Sequence, residues 1–351
     1  MKVIGFAGTA KNTGKTTAVL SVMDHCRARN LRMALTSIGF DGEQRDTITS
    51  LPKPRYLLQP GDRVATACEC LEAGTARLKV LYETGLKTIL GNIVLAEVTQ
   101  AGMVLVAGPN RRKDLDSLIH LFHEMDTDLL LVDGALNRLA PMIACEGLVL
   151  STGAAFSSEI ERVSLHAAQV AGLYNLPLDP LVEMPEHGGC IQFEDGSILK
   201  LSSGSLLEPF DLELPVGSHV SKIILPGLVN PIPLQHFVLQ IQQRSCVDAS
   251  LTVVLASPLK IAASGHLDAW SALMESKLVN LKVMRSIPLL AVTSCPFYPR
   301  WLHRRGEYEP AAVDALDLLV ALKSSIPLTL VLDVVRDPSP DWSGILKLER
   351  S

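Results

Sequence analysis

A stretch near the start of the chain, GFAGTAKNTGKTTAV from Gly5 to Val19, holds the residue types that handle phosphate. The general phosphate-loop pattern is a glycine, four residues, a second glycine, a lysine and then serine or threonine. Gly14, Lys15 and Thr16 satisfy its second half, while Thr9 stands where the first glycine belongs and Gly8 comes one step early. The mechanics survive that offset. Small residues let backbone N–H groups turn inward, and the helix that follows brings its N-terminus to the phosphates. Lys15 can reach the terminal phosphates and Thr16 can offer its hydroxyl to Mg²⁺.

Such a loop needs an acidic partner on a neighbouring strand. The run LLLVDGALNR supplies one, because four apolar residues deliver Asp133 to the carboxyl edge of a sheet, where ligands gather in open α/β folds. The segment SIGFDGEQRD offers Asp41, Glu43 and Asp46 near the same edge; Asp41 is preferred as the group that completes the metal shell or orients the attacking group. Lys11 lies inside the loop as a second cation for phosphate oxygens or a dimer interface. Arg111 and Arg112 in GPNRRKD follow a strand at that edge, and a solvated helix start is the preferred reading for both. His120 and His123 sit at i, i+3 on an expected helix with no carboxylate constellation around them and read as structural, His123 beside the core edge. No Gly-x-Ser-x-Gly elbow and no Cys-His signature marks a covalent nucleophile. The pair Cys68 and Cys70 stands without a second pair at metal-binding spacing, so ordinary thiols are expected.

The elements that must position these residues follow from apolar patterning. Near-continuous apolar runs at Val3 to Ala7, Arg32 to Ile38, Met103 to Ala107, Leu129 to Val132 and Gly147 to Ser151 predict strands buried on both faces. Helices are expected over Thr16 to Ala28 and Arg112 to Met125, where Leu115, Leu118, Ile119 and Phe122 form one stripe. Leu51 to Val64 carries three prolines and a glycine and reads as a long loop. The texture changes near Pro185, and Ile191 to Leu201 reads as a hairpin around Asp195-Gly196. Beyond it, strands are expected at Lys222 to Leu225, Thr252 to Ala256, Leu289 to Val292 and Leu328 to Leu332, with helices at Leu234 to Gln243 and Ala311 to Lys323. The expected fold class is therefore α/β: a phosphate-loop domain with a mostly parallel sheet over residues 1–187, followed by a smaller α/β domain over 188–351.

Composition narrows the function classes. The 351 residues carry a net charge of -5 with no long basic run, which argues against nucleic acid as the partner. The opening Met1-Lys2-Val3-Ile4 is too short an apolar stretch for a signal peptide, and no run of membrane-spanning length follows. Seven cysteines, an odd number, fit a reducing compartment better than a disulfide scaffold. A soluble, cytoplasmic protein with no membrane partner is expected. ATP is preferred over GTP, since no Asn-Lys-x-Asp tetrapeptide occurs.

The pair GTAKNTGKTT and VDGALNR resembles the simplified P-loop class that includes dethiobiotin synthetase and the metal-centre maturation ATPases. That resemblance implies ATP on the loop, Mg²⁺ held by the loop threonine and an acidic residue after a later strand, and an assisting aspartate after the second strand. Carried over, it assigns Gly8, Thr9, Lys11, Asn12, Thr13, Gly14, Lys15, Thr16 and Thr17 to the nucleotide, Thr16, Asp133 and Asp41 to the metal, and Lys15, Asp133 and Asp41 to turnover. The class-typical lysine of the maturation ATPases falls one position earlier than Lys11. The Lys-Asn-Thr before Gly-Lys-Thr-Thr, the Gly-Pro followed by a basic loop, and Asp-Gly-Ala-Leu-Asn-Arg are together similar to a component of the reactivating factor for lysine 5,6-aminomutase. This implies an ATP-driven chaperone that releases damaged cobalamin from an adenosylcobalamin-dependent aminomutase. The competing expectation is an ATP-dependent small-molecule ligase or kinase of the dethiobiotin synthetase kind. Whether the chain acts alone, as a homodimer or with a second ATPase subunit stays open at this point.

Overall fold

The computed structural model describes residues 1–41, 56–134, 140–180, 188–210, 212, 214, 218–244, 251–303, 306–337 and 339–346. Two compact units emerge, one formed by Met1–Ala167 with Leu289–Ser351 and the other by Ala168–Pro288.

The first unit opens with β1 (Lys2–Gly8), α1 (Lys15–Arg27) and β2 (Met33–Ser37), then short strands β3 (Phe40–Asp41) and β4 (Tyr56–Leu58). Next come β5 (Arg63–Ala67), β6 (Arg77–Thr88), β7 (Gly91–Gln100), β8 (Gly102–Val104) and β9 (Val106–Ala107). They are followed by α2 (Arg112–Glu124), β10 (Leu129–Asp133), β11 (Gly147–Gly153) and α3 (Ile160–Tyr174), whose residues from Ala168 onward belong to the second unit. The expected strand over Met103 to Ala107 is instead two short pieces outside the large sheet: β8 pairs antiparallel with β4, and β9 with β3. The proline-rich segment is also less loop-like than its composition suggests. Its residues 51–55 lie outside the described residues, but Tyr56, Leu57 and Leu58 alternate buried, exposed, buried, as a strand does. The remaining proline and glycine, Pro60 and Gly61, sit in a tight turn closed by the Asp62 amide on the Gln59 carbonyl.

The second unit contains β12 (Gly189–Phe193), β13 (Ile198–Leu201), β14 (Val220–Leu225), α4 (Pro231–Arg244) and β15 (Leu251–Leu255). Helices α5 (Pro258–Ala263) and α6 (Leu267–Glu275) and strand β16 (Val279–Val283) complete it. Its sheet runs β13-β12-β14-β15-β16, with the expected β12–β13 hairpin antiparallel and β14, β15 and β16 parallel. Ile223, Val253 and Leu281 pack with Phe237 and Trp270 in this unit's own core.

From Leu289 the chain returns to the first unit through β17 (Leu289–Cys295), β18 (Phe297–Leu302), β19 (Glu307–Ala312), α7 (Ala315–Ser325), β20 (Leu330–Leu332) and α8 (Ser343–Leu346). The expectation of one boundary near residue 187 is thereby corrected: the second unit is an insertion, and residues 289–351 belong with the first. Strands β17 and β20 are apolar parallel strands like those before the insertion. Nothing in their texture tells which sheet they join; only the pairing of β17 with β11 does. The large sheet has nine strands in the order β20-β17-β11-β1-β10-β2-β5-β7-β6. It is parallel from β20 to β5, and the long β6–β7 hairpin adds two antiparallel strands at one edge. On the face covered by α1, Ile4, Phe6, Leu35, Leu131 and Val149 meet Ala18, Val19, Val22 and Met23 of the helix. Leu115, Leu118 and Phe122 of α2 are buried as the stripe requires, whereas His123 is exposed rather than beside the core edge.

Candidate phosphate-binding site

The loop between β1 and α1 owes its shape to two left-handed residues, Asn12 (φ 64°) and Gly14 (φ 84°). Asparagine is among the few side chains that tolerate this conformation, and glycine adopts it freely. A Cβ on Gly8 would fall 2.6 Å from Thr13 Oγ1, so the loop entry also needs glycine. Thr9, the departure from the strict motif, has a physical role. Its amide donates to the Ser151 carbonyl at 2.9 Å, and its hydroxyl lies 3.0 Å from Thr152 Oγ1. It thus extends the β1–β11 pairing by one residue before the loop turns away. Thr13 closes the loop on itself, its hydroxyl donating to the Ala10 carbonyl at 3.0 Å. Lys11 is exposed at the tip.

Gly14 caps α1 without a side-chain hydrogen bond, and the first turn holds no acidic residue. The first amides of a helix have no partner within it, so this end presents donors and partial positive charge to an anion. Lys15 crosses from that turn to the end of β10. Its Nζ is 2.8 Å from Asp133 Oδ1 and donates to the Gly134 carbonyl at 2.9 Å. Asp133 is 1 % exposed, and the Tyr56 hydroxyl donates to its Oδ2. A carboxylate so buried is stable only when both oxygens find partners, and an ammonium and a phenol provide them. The backbone around it is fixed by Ile38 N donating to the Asp133 carbonyl at 2.7 Å and Gly134 N donating to that of Phe6 at 3.0 Å.

Thr16, on the same turn as Lys15, is 9 % exposed, and Thr17 follows it. Asp133 and Thr16 are hard oxygen donors of the kind Mg²⁺ takes, and Mg²⁺ keeps most of its waters and asks for only one or two protein ligands. Among the described residues no group of three or more His, Cys, Asp or Glu side chains is placed to hold a metal ion, Cys68 and Cys70 included. Asp41 ends β3, which joins β9 rather than the large sheet; its side chain, Glu43 and Asp46 lie outside the described residues. Arg111 is the exposed residue before α2, and Arg112 faces Asp116 one turn on at 3.5 Å.

Two parts of the site lie outside the sequence expectations. Tyr56 was hidden in a proline-rich stretch that reads as loop. Cys295, at the end of β17, forms the wall beside Gly14: a Cβ on that glycine would stand 3.2 Å from Cys295 Cβ. Burial pushes its thiol up, as expected for an inert wall residue. Comparison with known proteins adds no relative, since no family model, no curated protein and no solved structure matches the chain.

Proposed function

We propose that this chain binds ATP with Mg²⁺ on the loop from Gly8 to Thr17 and hydrolyses it. We further propose that the cycle remodels an adenosylcobalamin-dependent aminomutase, releasing damaged cobalamin. The observation that carries the nucleotide reading is the 2.8 Å pair between Lys15 Nζ and Asp133 Oδ1. It brings the loop lysine and the strand-end carboxylate to one point at the N-terminus of α1. In this geometry Lys15 is held by Asp133 and Gly134, and phosphate binding draws it away by offering a denser negative charge. Asp133 then has an oxygen to give to the metal or to one of its waters, beside the Thr16 hydroxyl. Mg²⁺ supplies charge neutralisation on the phosphates. The loop amides, the helix end and Lys15 hold the transferring group, which is most of what phosphoryl transfer asks of a protein.

The partner half of the proposal rests on the sequence resemblance and on the insertion of a separate α/β unit, Ala168–Pro288, into the first. A nucleotide domain alone would not need that unit. The test is ATP hydrolysis by the purified chain with Mg²⁺, with and without an adenosylcobalamin-dependent aminomutase that has been allowed to inactivate. Stimulation of several-fold with release of cobalamin is expected. Hydrolysis indifferent to the aminomutase, or ATP consumed only with a small carboxylate or amine acceptor, would replace remodelling by the ligase reading.

A further inference from the structure

We propose that Tyr56 is a positioning residue that makes Asp133 present a single oxygen, and that this favours Mg²⁺ over larger cations. The inference rests on the nucleotide reading above and goes beyond it. The two oxygens of Asp133 are differently engaged. Oδ1 meets the Lys15 ammonium, at the end of a flexible side chain that is 17 % exposed, while Oδ2 accepts from the Tyr56 phenol. The phenol is the less mobile partner. Tyr56 is 4 % exposed, is paired in register with Val104 through the β4–β8 ladder, and packs in the same core as Leu58, Val104 and Val106. When phosphate draws Lys15 off, Oδ1 gives up that ammonium while Oδ2 stays pinned.

The consequence follows from cation chemistry. Mg²⁺ demands near-ideal octahedral geometry and takes carboxylates through one oxygen, whereas Ca²⁺ accepts looser geometry and bidentate carboxylates. A carboxylate with one oxygen tied to a buried phenol suits the first and penalises the second. Without the phenol the carboxylate can rotate or offer both oxygens, and selectivity falls. The role is one of orientation: nothing in the geometry requires Tyr56 to touch the nucleotide.

The test uses the full chain and a fluorescent ATP analogue, titrated in EDTA, in Mg²⁺ and in Ca²⁺, for wild type, Tyr56→Phe and Val104→Ala. Removing a hydrogen bond to a charged group is worth about tenfold in an equilibrium constant. Tyr56→Phe is therefore expected to raise the Mg²⁺ concentration for half-maximal tightening by about tenfold, to narrow the Mg²⁺ to Ca²⁺ preference, and to leave binding in EDTA unchanged. Val104→Ala, which loosens the same ladder but keeps the hydroxyl, is expected to lower the melting temperature without changing cation preference. An unaltered cation profile in Tyr56→Phe, or the same change in Val104→Ala, would overturn the proposal while leaving the nucleotide reading intact. Loss of the fold in Tyr56→Phe with Val104→Ala folded would assign the phenol to stability and overturn it as well. Absence of nucleotide binding by the wild-type chain would overturn both readings together.

Discussion

Lys15 and Asp133 are 118 positions apart in the chain, and their meeting depends on one register. Phe6 of β1 is paired with Asp133 of β10, so the strand that leads into the loop runs beside the strand that ends in the carboxylate. Both residues were legible from their types and their apolar leads. Tyr56 was not, because an aromatic residue between prolines looks the same whether it lines a loop or reaches a buried acid. The cysteines carry a residue-scale prediction. Burial pushes the thiols of Cys26 and Cys145 up to about 12 and raises Cys70, Cys190 and Cys295 as well, while Cys68 is exposed. The thiolate is the reacting form. Among these described cysteines, brief alkylation of the native protein near pH 8 is expected to label Cys68 first and to spare Cys26 and Cys145, as read by peptide mass mapping. Early labelling of Cys26 or Cys145 would show that α1 or the segment before β11 opens readily.

At the scale of elements, α1 carries two loads, the proposed phosphate loop at its start and a C-terminal strap along its length. Trp342, wholly buried, donates from Nε1 to Ser21 Oγ at 3.0 Å, and its amide lies 3.4 Å from His25 Nδ1. Lys2 Nζ donates to the Ile345 carbonyl at 2.5 Å and ties the strap to β1. The pKa of His25 is lowered from 6.5, first by burial and then by the Arg29 charge, with Asp341 and the Pro340 carbonyl opposing. Between the lowered value and 6.5 the folded chain holds fewer protons on His25 than the unfolded chain does. The contribution is therefore fully present above 6.5 and drains away as pH falls through the lowered pKa. Wild type is expected to lose more stability than His25→Asn between about pH 7 and pH 5 in denaturant titrations, since the amide oxygen of asparagine accepts at both. Equal losses would remove His25 from the account. The strap itself was illegible in the sequence: one tryptophan in a polar tail carries no periodic signal, and long-range packing alone gives it a place. The β6–β7 hairpin is absent from the sequence expectations although β7 carries the buried apolar run Ile93–Ala96; its partner β6 has no fully buried residue, so the pair shows a strand signal on one side only.

Over the whole molecule, alternation of apolar strands and amphipathic helices disclosed the α/β class, but connectivity between sheets leaves no trace in local composition. That is why Leu289 to Val292 reads as part of a second domain and folds as the neighbour of β11. No described helix is long and apolar enough to cross a membrane. Among the described residues, the core around α1 and the core of the inserted unit have no member in common. Trp270→Ala, in the core of the inserted unit, is expected to cost that unit about 3–5 kcal/mol. Hydrogen exchange should register the loss within residues 168–288 and leave β1, β10 and β11 unchanged; faster exchange in those strands would mean that the units unfold as one. The most direct test of the central claim is equilibrium binding of ATP with Mg²⁺ to wild type, Lys15→Ala and Lys15→Gln, the last keeping a donor toward Asp133. Saturable binding by wild type, with its loss in both variants while they remain folded, is the expected result. Equal affinity in wild type and the folded variants would contradict the assignment of this loop to phosphate.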